Sequence, residues 1–222
     1  RMDGEKFSFR LWKGDLCEAA AYLKREKGLC SIYAYMAATN GIAGGYSPLL
    51  IAFFRTAPGF SAAMYSLFSV AEFLGRSLGG IVQYRMKLPP KKKFGFAFSV
   101  YQFYEIMDMC LLWIPYPLML LNRACAGFLG INSAAMRQAS VQRYLPERLR
   151  ARVNAFENMC IMAASGFFSL VLGAMGEVLD YRLCVSLGAG FTLAICWLTI
   201  WRCRRQVREI YEVERDSATY QL

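Results

Sequence analysis

The 222-residue chain is 56% apolar and 15% aromatic, with a mean hydropathy of +0.28, and 19% of it is charged, where a soluble domain carries about a quarter. Its net charge of +10 is carried by basic residues that flank long apolar runs, which points to a lipid bilayer and away from nucleic acid as the partner. There is no histidine, so the usual proton shuttle and commonest metal ligand are absent. The eight cysteines have no CxxC spacing and lie mostly in apolar runs, as small core hydrophobes do.

Taken in order, residues 1–28 open Arg-Met-Asp without a signal-peptide layout and read as a connector. Asp15 followed by Glu18 resembles a capping box, and Leu16, Ala19, Ala20 and Leu23 share one helical face. Lys24, Arg25 and Lys27 close the segment. This predicts an amphipathic helix on the membrane surface, packed on cytoplasmic helix ends, or solvated as a connector. Six runs of membrane-crossing length follow. The first, Leu29–Phe54, is interrupted by Asn40-Gly41, Gly44-Gly45 and Pro48, which suit either close helix packing or a cavity wall. Pro58-Gly59 marks a turn. The second run, Ser61–Tyr84, carries Glu72 and Arg76 and then Gly75–Gly80, and the loop 85–93 contains two prolines that forbid a continuous helix. The third, Phe94–Ile114, bears Glu105 and Asp108. The fourth starts at Pro115, carries Arg123, and is expected to empty into a polar loop holding Arg137, Arg143, Arg148, Arg150 and Arg152. The fifth, Val153–Gly176, has Glu157 near its start. The sixth, from about Arg182 to Trp201, leads into a charged tail, 203–222.

If the N-terminus is cytoplasmic, 22 of the 26 basic residues fall in inside segments and only Arg55 and Arg182 in outer turns. That asymmetry follows the positive-inside rule, with both termini cytoplasmic. The expectation is an all-α, multi-pass protein of the cytoplasmic membrane.

The residues at this point resemble the major facilitator superfamily, specifically the C-terminal six helices of a bacterial twelve-helix transporter. DLCEAAAYLKREKGL (15–29) looks like the amphipathic connector into the seventh helix of exporter-type members. GRSLGGIVQYRMKLPPKKK (75–93) is similar to the glycine- and arginine-bearing loop after the second helix of each half, without the acid that usually precedes the arginine. RACAGFLGINSAA (123–135) resembles the arginine-x-x-x-glycine signature of a half's fourth helix. SVQRYLPERLRARVNA (140–155) resembles the loop before the penultimate helix, with Ala151 where glycine is usual. The resemblance covers nearly the whole chain. It implies a half-bundle, 29–202, made of two inverted three-helix repeats, with helices one and four lining a midplane site, helices two and five meeting the other half, and helices three and six outside. It further implies secondary, ion- or proton-coupled transport of a small solute by alternating access, export by analogy, with an N-terminal six-helix half as partner. The cavity candidates are then Asn40, Asn122, Arg123, Asn132 and Ser133. A non-transporting membrane scaffold is the alternative and would have fully paired charges and no hydrated cavity.

Ionisable residues inside a span are costly and are paired or face water. Counted from the turn at Pro115-Tyr116, Asp108 and Arg123 lie at equal depth on adjacent antiparallel helices, roughly 10 Å in at 1.5 Å per residue, and are expected to pair. Glu105 lies one turn deeper, either sharing Arg123 or protonated. Glu72 and Arg76 can pair along one helix, or Glu72 can carry a coupling proton. Glu157 is expected to meet a loop arginine. The aromatics read as lipid- or core-facing, with Trp113 and Tyr116 at the outer boundary. No phosphate loop, GxSxG or clustered metal ligands predict an enzyme, a cofactor or a metal.

Overall fold

The computed structural model describes residues 9–85 and 88–212, and every element among them is helical. The expectations for residues 1–8, for Met86 and Lys87, and for the tail beyond 212 lie outside the described residues. The helices are α1 (Phe9–Arg25), α2 (Lys27–Thr56), α3 (Ala62–Arg85), α4 (Pro90–Cys110), α5 (Tyr116–Tyr144), α6 (Glu147–Val178), α7 (Tyr181–Cys196) and α8 (Arg204–Glu212), with a π turn over Trp197–Trp201 extending α7. Proline fixes φ and lacks an N–H, so it suits a helix's first residues, where that N–H has no partner. Three starts use it: Pro89 caps α4, Pro115 caps α5 and Pro146 caps α6. Asp180 caps α7 by accepting from the Arg182 N–H at 2.7 Å. Gly59, with φ +81°, turns the chain between α2 and α3.

Three sequence expectations change here. The polar loop after the fourth run is not a loop: α5 continues to Tyr144 and α6 begins at Glu147, so the connection is Leu145-Pro146. Arg137 and Arg143 therefore stand on α5, and Arg148, Arg150 and Arg152 on α6. Basic residues are good helix formers, and charge alone did not mark a break. Asp15 and Glu18 do not cap a helix, because α1 starts six residues before Asp15; both carboxylates instead hold α6. Arg152 is paired with Asp15 at 3.1 Å and with Glu18, and Arg148 reaches Glu18 at 3.0 Å. Lastly, the tail folds back as α8 and buries Val207, Ile210 and Tyr211. The boundary at 203 is thus not a structural one for residues 204–212.

The dominant helix pairings are α2 with α6, α3 with α5, and α4 with α7, followed by α2 with α7 and α4 with α5. Small residues make the first two possible. A Cβ on Gly75 of α3 would lie 1.9 Å from the Ala124 carbonyl of α5, and one on Gly127 would lie 2.4 Å from the Glu72 carbonyl. Across α2 and α6, a Cβ on Gly44 would meet the Ser165 hydroxyl at 2.0 Å and one on Gly41 would meet Ala164 at 2.8 Å. Small-residue contacts of this kind bring helix backbones together where no hydrophobic drive separates helix from lipid. Two apolar clusters fill the bundle. One, at the end where the basic segments gather, includes Leu23, Tyr35, Tyr101, Val153, Val207 and Tyr211. The other, at the opposite end, includes Tyr46, Phe54, Phe68, Leu111 and Cys184.

Two helices are long and apolar enough by composition alone to cross a membrane, Glu147–Val178 and Tyr181–Trp201, against six expected. The physical reason lies in the other four. α3, α4 and α5 carry Glu72 and Arg76, Glu105 and Asp108, and Arg123 inside their lengths, and α2 is diluted by Asn40, glycines, tyrosines and Pro48. Those helices hold 30, 24, 21 and 29 residues. The outward faces of α3 and α6 are strongly apolar and exposed, with Phe73, Leu78 and Ile81 on one and Met162, Phe167 and Leu170 on the other.

Candidate functional site

Polar side chains inside the bundle fall into two groups. The first is a charge cluster where α3, α4 and α5 meet. Arg123 Nη1 donates to Asp108 Oδ1 at 3.1 Å, the pair expected from counting depth, and its Nε lies 4.0 Å from Glu72 Oε2. Glu72 also accepts from Arg76 at 2.6 Å along its own helix. Two cations and two carboxylates therefore form one balanced group rather than two separate pairs. Arg123 and Asp108 are 6% and 4% exposed at the side chain, and the Arg123 guanidinium lies 5.1 Å from the centre of the Phe68 ring. The glycines bring this about: Gly127 and Gly75 let α5 approach α3 closely enough for Arg123 to reach across to Glu72. Arg123 is enclosed by its own bundle and does not line the cavity described next.

The second group surrounds a cavity of about 240 Å³ between α2, α4 and α5, with Arg76 at its α3 edge. α2 contributes Tyr35, Met36, Thr39, Asn40 and Ala43, one face at helical spacing, and α5 contributes Ala126, Gly130, Ser133, Ala134 and Arg137 on another. Tyr101 and Tyr104 of α4 complete it. Behind the wall sits Glu105, 2% exposed, which shares no bond with Arg123. Its carboxyl is surrounded by hydroxyls: Tyr35 at 3.1 Å and Thr39 at 2.9 Å on one oxygen, Thr192 of α7 at 2.6 Å on the other. Thr192 Oγ1 also lies 3.1 and 2.9 Å from the Gly188 and Ala189 carbonyls. One hydroxyl proton cannot serve three acceptors. A proton on Glu105, donated to Thr192, lets the threonine bond its own helix backbone as well.

Of the five cavity candidates from sequence, Asn40 and Ser133 line this cavity. Asn40 donates to the Met36 carbonyl at 2.8 Å, while the buried Ser133 hydroxyl has no partner. Asn122 is turned to α4, donating to the Met107 carbonyl at 3.0 Å. Asn132 bonds the Phe128 carbonyl at 2.7 Å and lines a second cavity with Gln83, Phe96 and Arg143. Glu157 is half-buried and faces Arg137 electrostatically, an arginine of α5 rather than of a loop.

Sequence reasoning missed Tyr35, Thr39, Tyr101, Tyr104, Arg137 and Thr192. Tyr35 with Thr39 and Ser133 with Arg137 are each spaced i,i+4, which puts each pair on one helix face. That signal was present, but the tyrosines read as core and Arg137 as loop. Thr192 carries no such signal, since only tertiary packing brings α7 to Glu105. Trp113 donates to Ser186 at 2.9 Å and Tyr116 to the Met64 carbonyl at 2.9 Å. Compared with known proteins, the chain matches no family model, no curated protein and no solved structure.

Proposed function

We propose that the chain is one six-helix half of a secondary active membrane transporter, with α2 to α7 crossing the bilayer and both ends cytoplasmic. The observation that carries this reading is the pattern of helix pairing. Exchanging α2 with α5, α3 with α6 and α4 with α7 turns the α2–α6 pair into α5–α3 and returns α4–α7 to itself. The same exchange turns α2–α7 into α5–α4. Two three-helix units related in this way are what an inverted repeat produces, and binding sites in such folds lie at the interface between repeats. The cavity between α2 and α5 lies there.

Four of the proposed spans are too polar to be recognised by composition, and their charges support rather than oppose crossing. The buried ones are paired or enclosed by hydroxyls, as ionisable groups at membrane depth must be. The exposed apolar faces of α3 and α6 suit lipid and a second half-bundle, which would close the open side of the cavity. A small solute is the cargo of this reading. No enzymatic step is proposed.

Single-cysteine accessibility in a cysteine-free background tests it. Cysteine at Lys92 should react with an impermeant maleimide from the cytoplasmic side only. Cysteine at Asn40 should react from both sides, because alternating access exposes the cavity to each in turn. Labelling of Lys92→Cys from outside would overturn the topology. Protection of Asn40→Cys from both sides would overturn the transporter and favour a scaffold without a hydrated cavity.

A further inference from the structure

Resting on the transporter reading, we propose that the α2–α5 cavity takes an organic anion: a single carboxylate or phosphate head held by Arg137 and Ser133, with an apolar body along the tyrosines. The chain offers two arginines to this cavity, and their circumstances differ. Arg76 is neutralised at 2.6 Å by Glu72. Arg137 has no such partner: among the described residues no carboxylate comes within ion-pair distance of it. Its guanidinium is hydrogen-bonded to the Tyr101 hydroxyl, and its other electrostatic neighbours are the Tyr211 hydroxyl and Glu157.

One turn before Arg137 on the same face stands Ser133, a lining residue only 3% exposed, whose buried hydroxyl has no hydrogen-bond partner. A buried polar group is ordinarily bonded, and an orphan hydroxyl beside an underpaired guanidinium is a donor pair lacking its acceptor. Long helical side chains lean toward their helix N-terminus, so Arg137 reaches from the end of α5 into the cavity rather than out of it. The site also discriminates by sign. Glu105, the acid behind the wall, is capped by Tyr35 and Thr39, so a cation entering the cavity meets hydroxyls and not a carboxylate. Met36, Val100, Ala126 and Ile131 leave the rest of the space apolar. Arg76 and Arg137 are about 15 Å apart along α5, taking Gly127 as the level of Arg76, which leaves room for a body between a charged end and a neutralised one.

The chemistry is shared by soluble carboxylates and by anionic lipid headgroups, and the experiment separates them. Benzoate and octanoate are titrated calorimetrically into the full-length protein in phosphatidylcholine nanodiscs, with benzylammonium as the matched cation. One of the two anions should bind, and Arg137→Gln should weaken it at least roughly ten-fold, the loss of one charge-assisted hydrogen bond. Ser133→Ala should weaken it several-fold, Arg137→Lys should retain most of it, and Arg208→Gln, at an exposed arginine outside the cavity that already pairs with Glu212, should change it by less than about two-fold. Repeating the titration with phosphatidylglycerol identifies the source. Displacement of the probe by this lipid, in the wild type and not in Arg137→Gln, assigns the site to a headgroup; unchanged probe affinity assigns it to a soluble anion. Binding of neither anion, binding indifferent to Arg137→Gln, or benzylammonium binding as tightly would overturn the inference. Binding is read without transport, so a protein that binds the anion while Asn40→Cys stays protected from both sides refutes the transporter and leaves the anion site standing.

Discussion

Replacing Asp108 by asparagine probes the charge cluster most directly, because it keeps the shape and removes the charge. Arg123 is almost fully buried and holds Asp108 at 3.1 Å and Glu72 at 4.0 Å. At an effective dielectric of about 20, contacts at those distances are worth on the order of 5 and 4 kcal/mol before desolvation. A stranded buried charge ordinarily costs about 3–5 kcal/mol. Here Arg123 falls back on Glu72, which is 26% exposed and already shared with Arg76. Asp108→Asn is therefore expected to cost about 2–3 kcal/mol, below the full penalty. Glu72→Gln alone should cost about 1 kcal/mol or less, since Arg123 keeps its nearer partner. The double variant should lose more than the sum of the two, because only then does Arg123 have no carboxylate. Reversible unfolding in mixed micelles titrated with dodecyl sulfate measures all three. Exchanging the residues, Asp108→Arg with Arg123→Asp, should recover much of the loss. The reasoning fails if Asp108→Asn unfolds within about 0.5 kcal/mol of the wild type, the range of an ordinary surface change, or if the double variant is additive.

Two further outcomes are expected. Gly75→Ala should separate α3 from α5 and lower stability by about 1–3 kcal/mol, the range for overpacking, because its Cβ would lie 1.9 Å from a backbone carbonyl; Gly80→Ala, with nothing within 4 Å, should gain about 0.5–1 kcal/mol from helix propensity, and melting of the two variants side by side checks the contrast. Removing Arg148 and Arg152 together should loosen α1 from α6 and speed limited proteolysis between them, while costing the bundle only about 1 kcal/mol because these pairs are partly exposed; unchanged cleavage would show that apolar packing around Leu23 and Ala19 holds α1 without them.

The sequence by itself determined that the chain is helical and the order in which α1 to α7 follow, because long apolar runs, prolines at helix starts and the Pro58-Gly59 turn are local signals. Arg123 with Asp108 was legible for the same reason: a short turn at Pro115 makes two antiparallel helices, and equal counts from it give equal depth. The reach of α5 to Tyr144, and with it the position of Arg137, was not legible, since arginine is equally at home in a loop and on a helix. The return of α8 onto the bundle was hidden because Val207, Ile210 and Tyr211 are three apolar residues in a charged segment whose burial depends on a groove made by other helices. What only the tertiary structure decided is which polar groups meet. Glu105 is bonded by hydroxyls from residues 35, 39 and 192, and Glu72 is drawn to Arg123 through a close approach at Gly75 and Gly127. Those partners are remote in sequence and are brought together by backbone separation, a property of packed helix pairs that no single helix encodes.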